Sequence, residues 1–210
     1  MSNLLHTELP LRYQTPTSWA GQALSDPIAL LNDHAHLEKK AASNALELLS
    51  RWPAAEPPET WVSTLTSIAS DEAVHLRQVS RILENRNGSL DRAHRNPYTM
   101  ALRECVRLGQ GTEEVLDRLL VSALIEARSC ERFGLLADDN SDPELRKLYK
   151  GLWSSELGHY TAFLTLANDI VPQREIDERW DWMLDKEATI IRKQPPGPRM
   201  HSGVAESSHD

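Results

Sequence analysis

Four glutamates and two histidines occur in one order along this chain: Glu38, then Glu72-x-x-His75, then Glu126, then Glu156-x-x-His159, each inside a stretch that reads as a long helix. At 3.6 residues per turn, the first and fourth residues of Glu-x-x-His stand about 60° apart on one face, so both can reach the same ion. Glu followed by Glu-x-x-His, given twice, is the donor set of a carboxylate-bridged di-iron centre inside a four-helix bundle. A ferrous pair needs anionic oxygen to offset its charge, imidazole to hold redox-active iron, and open positions for oxygen. The intervals from Glu38 to Glu72, to Glu126 and to Glu156 are 34, 54 and 30 residues. Short, long, short predicts two helical hairpins joined by one crossover.

Helix signals fit this plan. An irregular N-terminal segment (1–24) holds a short helix at Ser18–Leu24. Ser25-Asp26-Pro27 is a capping start for a first long helix that runs to Trp52 and is ended by Pro53 and Pro57-Pro58. A second spans Glu59–Asn85, with Gly88 as its left-handed stop, and Tyr98–Leu108 forms a shorter helix within the crossover. A third runs from Thr112 to Ala137, and Ser141-Asp142-Pro143 starts a fourth that reaches Asn168. An accessory helix follows over Arg174–Arg192, and Gln194–Asp210, without periodicity, reads as a flexible tail. The expected fold is all-α: a bundle over 25–193 with one long crossover and accessory helices.

Helical phase separates inward carboxylates from outward ones. Glu38 shares a stripe with Leu31, His34, Ala41, Ala45 and Leu49, whereas Glu47, nine residues on, faces water. Glu72 and His75 align with Ile68, Val79 and Ile82. Glu126 aligns with Leu119, Ala123, Cys130 and Phe133, while Glu131 is rotated away by about 140°. Glu156 and His159 align with Leu152, Phe163 and Leu166. An ionised carboxylate on a buried face costs several kcal/mol unless partnered. Four that converge therefore point to metal. A lone Glu-x-x-His is common on solvated helices; the weight lies in the doubled pattern.

Composition excludes several classes. No run approaches the ~20 apolar residues needed to cross a bilayer, and the first residues lack a basic region followed by an apolar stretch, so a cytoplasmic location is expected. Cys105 and Cys130 have neither metal-finger nor disulfide-framework spacing and read as free thiols. A formal charge of −8 disfavours general affinity for nucleic acid or anionic membrane but allows a local basic patch. Arginines at 77 and 81, 103 and 107, 128 and 132, with Arg86, Arg92 and Arg95, read mostly as solvated faces or ion pairs. Their grouping near the crossover leaves room for phosphate contacts. His34, one turn before Glu38, reads as a neighbour of the metal layer or a buried core histidine, and stays outside the ligand set. Tyr160 and the tryptophans read as interhelical packing.

The donor set alone leaves iron storage, peroxide reduction, oxygenation, desaturation and dimanganese catalase chemistry open. The strings DHAHLEKKAASNALELL, SIASDEAVHLRQV, LIEARSCERFGLLA and LWSSELGHYTAFLTLA, spread over residues 10 to 195, resemble the tRNA 2-methylthio-isopentenyladenosine hydroxylases, which are ferritin-like di-iron proteins. The resemblance implies that Glu38, Glu72, His75, Glu126, Glu156 and His159 hold two iron ions. It further implies hydroxylation of the isopentenyl group of the modified adenosine beside the anticodon, with dioxygen as co-substrate, a tRNA anticodon stem-loop as partner and two electrons from an external reductase. No flavin or nicotinamide fingerprint is present in the chain. The rival is a ferritin-like iron-storage or peroxide-scavenging protein. Oligomeric state is not legible.

Overall fold

The computed structural model describes residues 9–138 and 141–205; expectations for the first eight residues and for 206–210 lie outside them. Seven helices occur among the described residues: α1 (Ser18–Ala23), α2 (Pro27–Leu49), α3 (Glu59–Asn85), α4 (Pro97–Arg103), α5 (Thr112–Asp138), α6 (Pro143–Asn168) and α7 (Gln173–Arg192). The main pairings are α2 with α3 and α5 with α6, the two hairpins that the short intervals imply. The crossover between them contains α4.

Local chemistry sets the ends. Asp26 caps α2 by accepting from Ala29 N at 3.0 Å, with Pro27 at the first position. Asp142 does the same for α6 through Glu144 N and Leu145 N. At the end of α3 it is Asn87, not Gly88, that takes the left-handed conformation, with φ 62°. Gly88 N and Asn87 N then return to Leu83 O and Glu84 O, each at 2.9 Å, which satisfies two otherwise orphaned carbonyls. Gly88 has a different role: a Cβ there would lie 2.3 Å from Leu83 Cδ1. The crossover helix stops at Arg103, short of Leu108, because Arg107 turns back to Asp117 through both its backbone N–H and its guanidinium.

The apolar interior divides into two parts. One gathers Leu48, Trp61, Leu65, Leu119, Phe163 and Met183; the other gathers Trp19, Leu31, Val79, Phe133, Tyr149 and Leu152. In each long helix the predicted ligand residues fall in sequence between these parts. The four-helix core is thus two hydrophobic blocks with a polar layer between them.

Two further expectations are corrected. The segment from Gln194, expected to be a flexible tail, is held in place: Met200, His201 and Ser202 are buried against the bundle. Met200 N donates to Asp33 Oδ2 at 2.9 Å, Trp19 Nε1 donates to Ser202 Oγ at 3.0 Å, and Pro196 and Gly203 form an isolated parallel bridge. This strap lacks periodicity because it is held by side chains of α1, α2 and the crossover, not by its own regular hydrogen bonds. Arg128 and Arg132, expected on solvated faces or in ion pairs and open to phosphate, are fully buried, and of these alternatives the ion pair holds for Arg128. Arg128 donates from Nε and one terminal nitrogen to the two oxygens of Glu187, 2.8 Å each, and also pairs with Glu131. The Arg132 guanidinium lies 4.0 Å from the Trp19 ring centroid. Both arginines bind α5 to its surroundings.

Candidate metal centre

Glu38 from α2, Glu72 and His75 from α3, Glu126 from α5 and Glu156 and His159 from α6 meet in the polar layer, none more than 6% exposed. Their atoms form two overlapping groups, Glu38, Glu72, His75 and Glu156, and Glu72, Glu126, Glu156 and His159; within each, one donor atom per residue lies within 4.8 Å of all the others. Glu72 and Glu156 belong to both groups. These are the two glutamates of the Glu-x-x-His motifs, and the pairing across the bundle follows from the antiparallel hairpins.

Both histidines turn Nδ1 inward. His75 Nδ1 lies 3.2 Å from Glu156 Oε1 and 3.6 Å from oxygens of Glu38 and Glu72. His159 Nδ1 lies 2.8 Å from Glu72 Oε1 and 3.6 Å from Glu156 Oε2. These separations have ion-pair reach but not hydrogen-bond geometry: both Glu72 oxygens, Glu156 Oε1 and both Nδ1 atoms are buried without a hydrogen-bond partner. Buried polar atoms are ordinarily satisfied, so a converging set of orphaned oxygen and imidazole donors has the chemistry of a cation site. The outer Nε2 of His159 sits 3.4 Å from Asp71 Oδ2, a carboxylate that can orient the ring.

Electrostatics of the metal-free cluster agree. Burial and the neighbouring carboxylates push Glu72 up to about 8 and Glu126 well above its ordinary range. Glu156 is held below the usual carboxylate range, its burial outweighed by contacts with His159, His75 and Glu126. His75 and His159, though buried, are raised to about 12 and about 10 by the surrounding glutamates. Protons thus offset the charge that metal would offset.

Around this layer stand residues that the sequence reading did not assign. His34 Nε2 lies 2.5 Å from Glu38 Oε1, and burial lowers His34 to about 4, so the neutral ring donates to the carboxylate. Its position one turn before Glu38 was the available signal. A cavity of about 530 Å³ opens between α2, α4 and α5, with Leu37, Ala41, Val121 and Ile125 among its apolar walls and Glu126 at its lining. Glu126 therefore faces both the metal layer and this cavity. Lys40 and Arg103, both exposed, lie on the same lining. Glu47, expected to face water, borders it too, held by Arg51 and Arg118. Cys130 is buried against Trp153 O, and burial raises its thiol, which suits a packing role.

A four-helix bundle with a buried layer of four glutamates and two histidines is a ferritin-like bundle with a donor set suited to iron. Residues 3–202 match the family described as tRNA-(MS[2]IO[6]A)-hydroxylase (MiaE). The chain belongs to that family. It is 34% identical over 193 residues to the tRNA 2-(methylsulfanyl)-N(6)-isopentenyladenosine(37) hydroxylase of Pseudomonas putida, with 92% of each chain covered. The enzyme of the same name from Salmonella typhimurium is 29% identical over 241 aligned residues, with 92% of this chain and 88% of that protein covered. Among solved structures, a Synechococcus protein described as having aldehyde deformylating oxygenase activity superposes with a TM-score of 0.86 at 33% identity, covering 97% of this chain and all of that one.

Proposed function

We propose that this chain is a di-iron monooxygenase that hydroxylates the isopentenyl group of 2-methylthio-isopentenyladenosine beside the anticodon of tRNA. Membership of the family supports the reaction class. The observation that carries the site assignment is the shared position of Glu126, on the metal layer and on the wall of the apolar cavity. A prenyl arm placed in that cavity ends next to the residues that would hold the iron.

Glu38 and His75 would serve one ion and Glu126 and His159 the other, with Glu72 and Glu156, common to both groups, between them. When bound, the ferrous pair would supply the two-electron activation of dioxygen that hydroxylation of an allylic C–H bond demands. The overall balance is one C–H bond, one dioxygen, two electrons and two protons giving one alcohol and one water. With no flavin or nicotinamide motif in the chain, the electrons are assigned to a separate reductase. Among the described residues no helix is long and apolar enough to cross a membrane, which suits a cytoplasmic tRNA substrate.

The residues of the chain supply binding and exclusion. Leu37, Ala41, Val121 and Ile125 offer the prenyl arm an apolar wall and keep bulk water from Glu126. The Asn44 amide donates to Ser122 Oγ at 2.9 Å on the same lining, a polar pair within reach of a purine edge. Lys40 and Arg103 at the rim, with exposed Arg92 and Arg95 on the approach to α4, face the solvent from which a phosphodiester chain arrives. Loop nucleotides need not leave a duplex to enter.

The test separates the pocket from the metal layer. Ala41→Phe, which narrows the cavity without touching a glutamate, is expected to keep two irons per chain and lose hydroxylation of isopentenylated tRNA. Retained product in Ala41→Phe would overturn the assignment of this cavity to substrate. A long-chain aldehyde serves as the control substrate, because the Synechococcus protein is described with aldehyde deformylating oxygenase activity.

A further inference from the structure

Between α3 and α4 the crossover is pinned along α2 at successive turns. Asn32 exchanges two hydrogen bonds with Asp91: its Oδ1 accepts from Asp91 N at 2.9 Å and its Nδ2 donates to Asp91 Oδ2 at 2.7 Å. His36 Nε2 donates to Asp91 O at 3.0 Å, and its ring stacks on that of His94, with centroids 4.7 Å apart and planes 2° from parallel. His94 is thereby set between two residues of α2 that stand two turns apart. Its Nε2 lies 2.6 Å from Asp33 Oδ1 and its Nδ1 lies 2.8 Å from Lys40 Nζ.

The donor and acceptor roles follow from the partners. An ammonium only donates, so His94 Nδ1 is the acceptor and the ring proton sits on Nε2, given to Asp33. Asp33 is buried, and its other oxygen accepts from Met200 N, so a chain of three hydrogen bonds runs from the C-terminal strap through Asp33 and His94 to Lys40. Lys40 has three N–H donors; His94 takes one, and no other described residue takes the remaining two. Lys40 and Arg103 stand together on the lining of the large apolar cavity. Among the described residues neither is paired with a carboxylate, unlike Arg118 on the same lining, which holds Glu47 and Glu114. A fixed, unneutralised ammonium beside an apolar cavity suits a ligand that joins an anionic group to an apolar one.

We propose that His94 is a positioning residue for the RNA substrate: it holds the Lys40 ammonium at the cavity rim, where the two free N–H groups meet a phosphate oxygen of the anticodon loop whose prenyl arm enters the cavity. Asp33 fixes the ring from the other side, which links the strap to the rim. The exposed Arg92 and Arg95 flank His94 on the same segment and extend the cationic edge along the path of the phosphodiester chain. This role rests on the reading of the cavity as the site of the prenyl arm.

The test uses the full-length, iron-loaded protein and an isopentenylated, methylthiolated anticodon stem-loop, with binding measured without an electron donor and hydroxylation measured with one. A long side chain ordered only on binding costs affinity that a preorganised one does not, so Lys40→Ala and His94→Ala are each expected to weaken binding about three- to tenfold, the loss appearing in KM with iron content unchanged. In the Lys40→Ala background, His94→Ala is expected to cost nothing more, because the group it acts through is gone. His94→Asn, whose side-chain oxygen takes the place of Nδ1, is expected to restore binding. Losses that multiply in the double variant, a His94→Asn protein that binds no better than His94→Ala, or a Lys40→Ala protein that binds as tightly as wild type would each overturn the proposal. Lys40 is exposed, so the last result does not depend on a variant that fails to fold. Wild-type protein that hydroxylates the stem-loop yet gives any of these results removes this proposal alone; wild-type protein that leaves the stem-loop unbound removes the reading of the cavity with it.

Discussion

Loading metal into this chain must expel protons, because in the metal-free cluster protons balance the buried glutamates. In the metal-free cluster His75 and His159 are raised to about 12 and about 10, and Glu72 and Glu126 are raised to about 8 and well above the ordinary range. His75, His159 and Glu72 are therefore mostly protonated at pH 7, Glu126 is pushed in the same direction, and Glu156, held low, is ionised. Ligands bind metal deprotonated, so two divalent ions displace about four protons, about two per ion, and apparent affinity per ion rises about a hundredfold per pH unit near neutrality. The sign for folding stability is the reverse. Groups whose pKa is raised in the folded state contribute stability that is lost as pH rises through the folded value. The metal-free chain is therefore expected to lose thermal stability as pH rises, from about 4.5 to about 8 through Glu72 and from about 6.5 to about 10 and beyond through His159 and His75, and the loaded chain is not. Anaerobic titration with ferrous ion in a weak buffer with a pH indicator measures the release directly. One proton or fewer at pH 7 would refute the charge-balanced cluster.

Other consequences follow from the same contacts. Replacing Glu126 with Leu removes one of the four glutamates of the layer, so iron stoichiometry should fall while the metal-free protein melts no lower than wild type; a large fall in Tm would show Glu126 to be structural. Glu187→Ala takes the two-oxygen partner from the buried Arg128 and leaves it Glu131 and the Tyr13 carbonyl, a change of at most about 3–5 kcal/mol. For a chain of this size that is up to roughly 6–20 °C in Tm, readable by calorimetry, and a shift below about 2 °C would mean that Glu131 and the Tyr13 carbonyl suffice to hold Arg128. Lys40→Ala with Arg103→Ala should weaken tRNA binding and flatten its salt dependence by about one phosphate contact per residue, with iron content unchanged. An unaltered salt slope would place the anticodon loop elsewhere. Asp33→Ala should release the strap, seen as faster proteolysis within residues 194–205; unchanged cleavage would mean that Trp19, Gln22 and Asn96 suffice to hold it.

The bundle was legible because its signals are local and periodic. Asp26-Pro27 and Asp142-Pro143 mark helix starts by side-chain capping, and the glutamates of Glu-x-x-His share a phase with the apolar stripe, so burial could be read from spacing. The strap was not legible, because Met200, His201 and Ser202 are buried by contacts with Asp33, Asn96 and Trp19, more than a hundred residues away for each. Arg128 and Arg132 misled for a related reason. Cationic pairs on a helix usually face solvent, and here the partner, Glu187, lies on a helix whose packing against α5 no local pattern announces. The cavity behind Glu126 is likewise a property of how α2, α4 and α5 are set against one another.

The central claim is that one buried layer of glutamate and histidine carries out oxygen insertion on a tRNA-borne prenyl group. It is tested most directly by a single turnover: ferrous-loaded protein, dioxygen, an electron donor and isopentenylated, methylthiolated tRNA, followed by digestion and mass spectrometry of the nucleosides. The account predicts a nucleoside heavier by one oxygen atom, carrying label from isotopic dioxygen and absent with Glu126→Ala. Oxidised iron with an unmodified nucleoside would contradict it and leave storage or peroxide chemistry in its place.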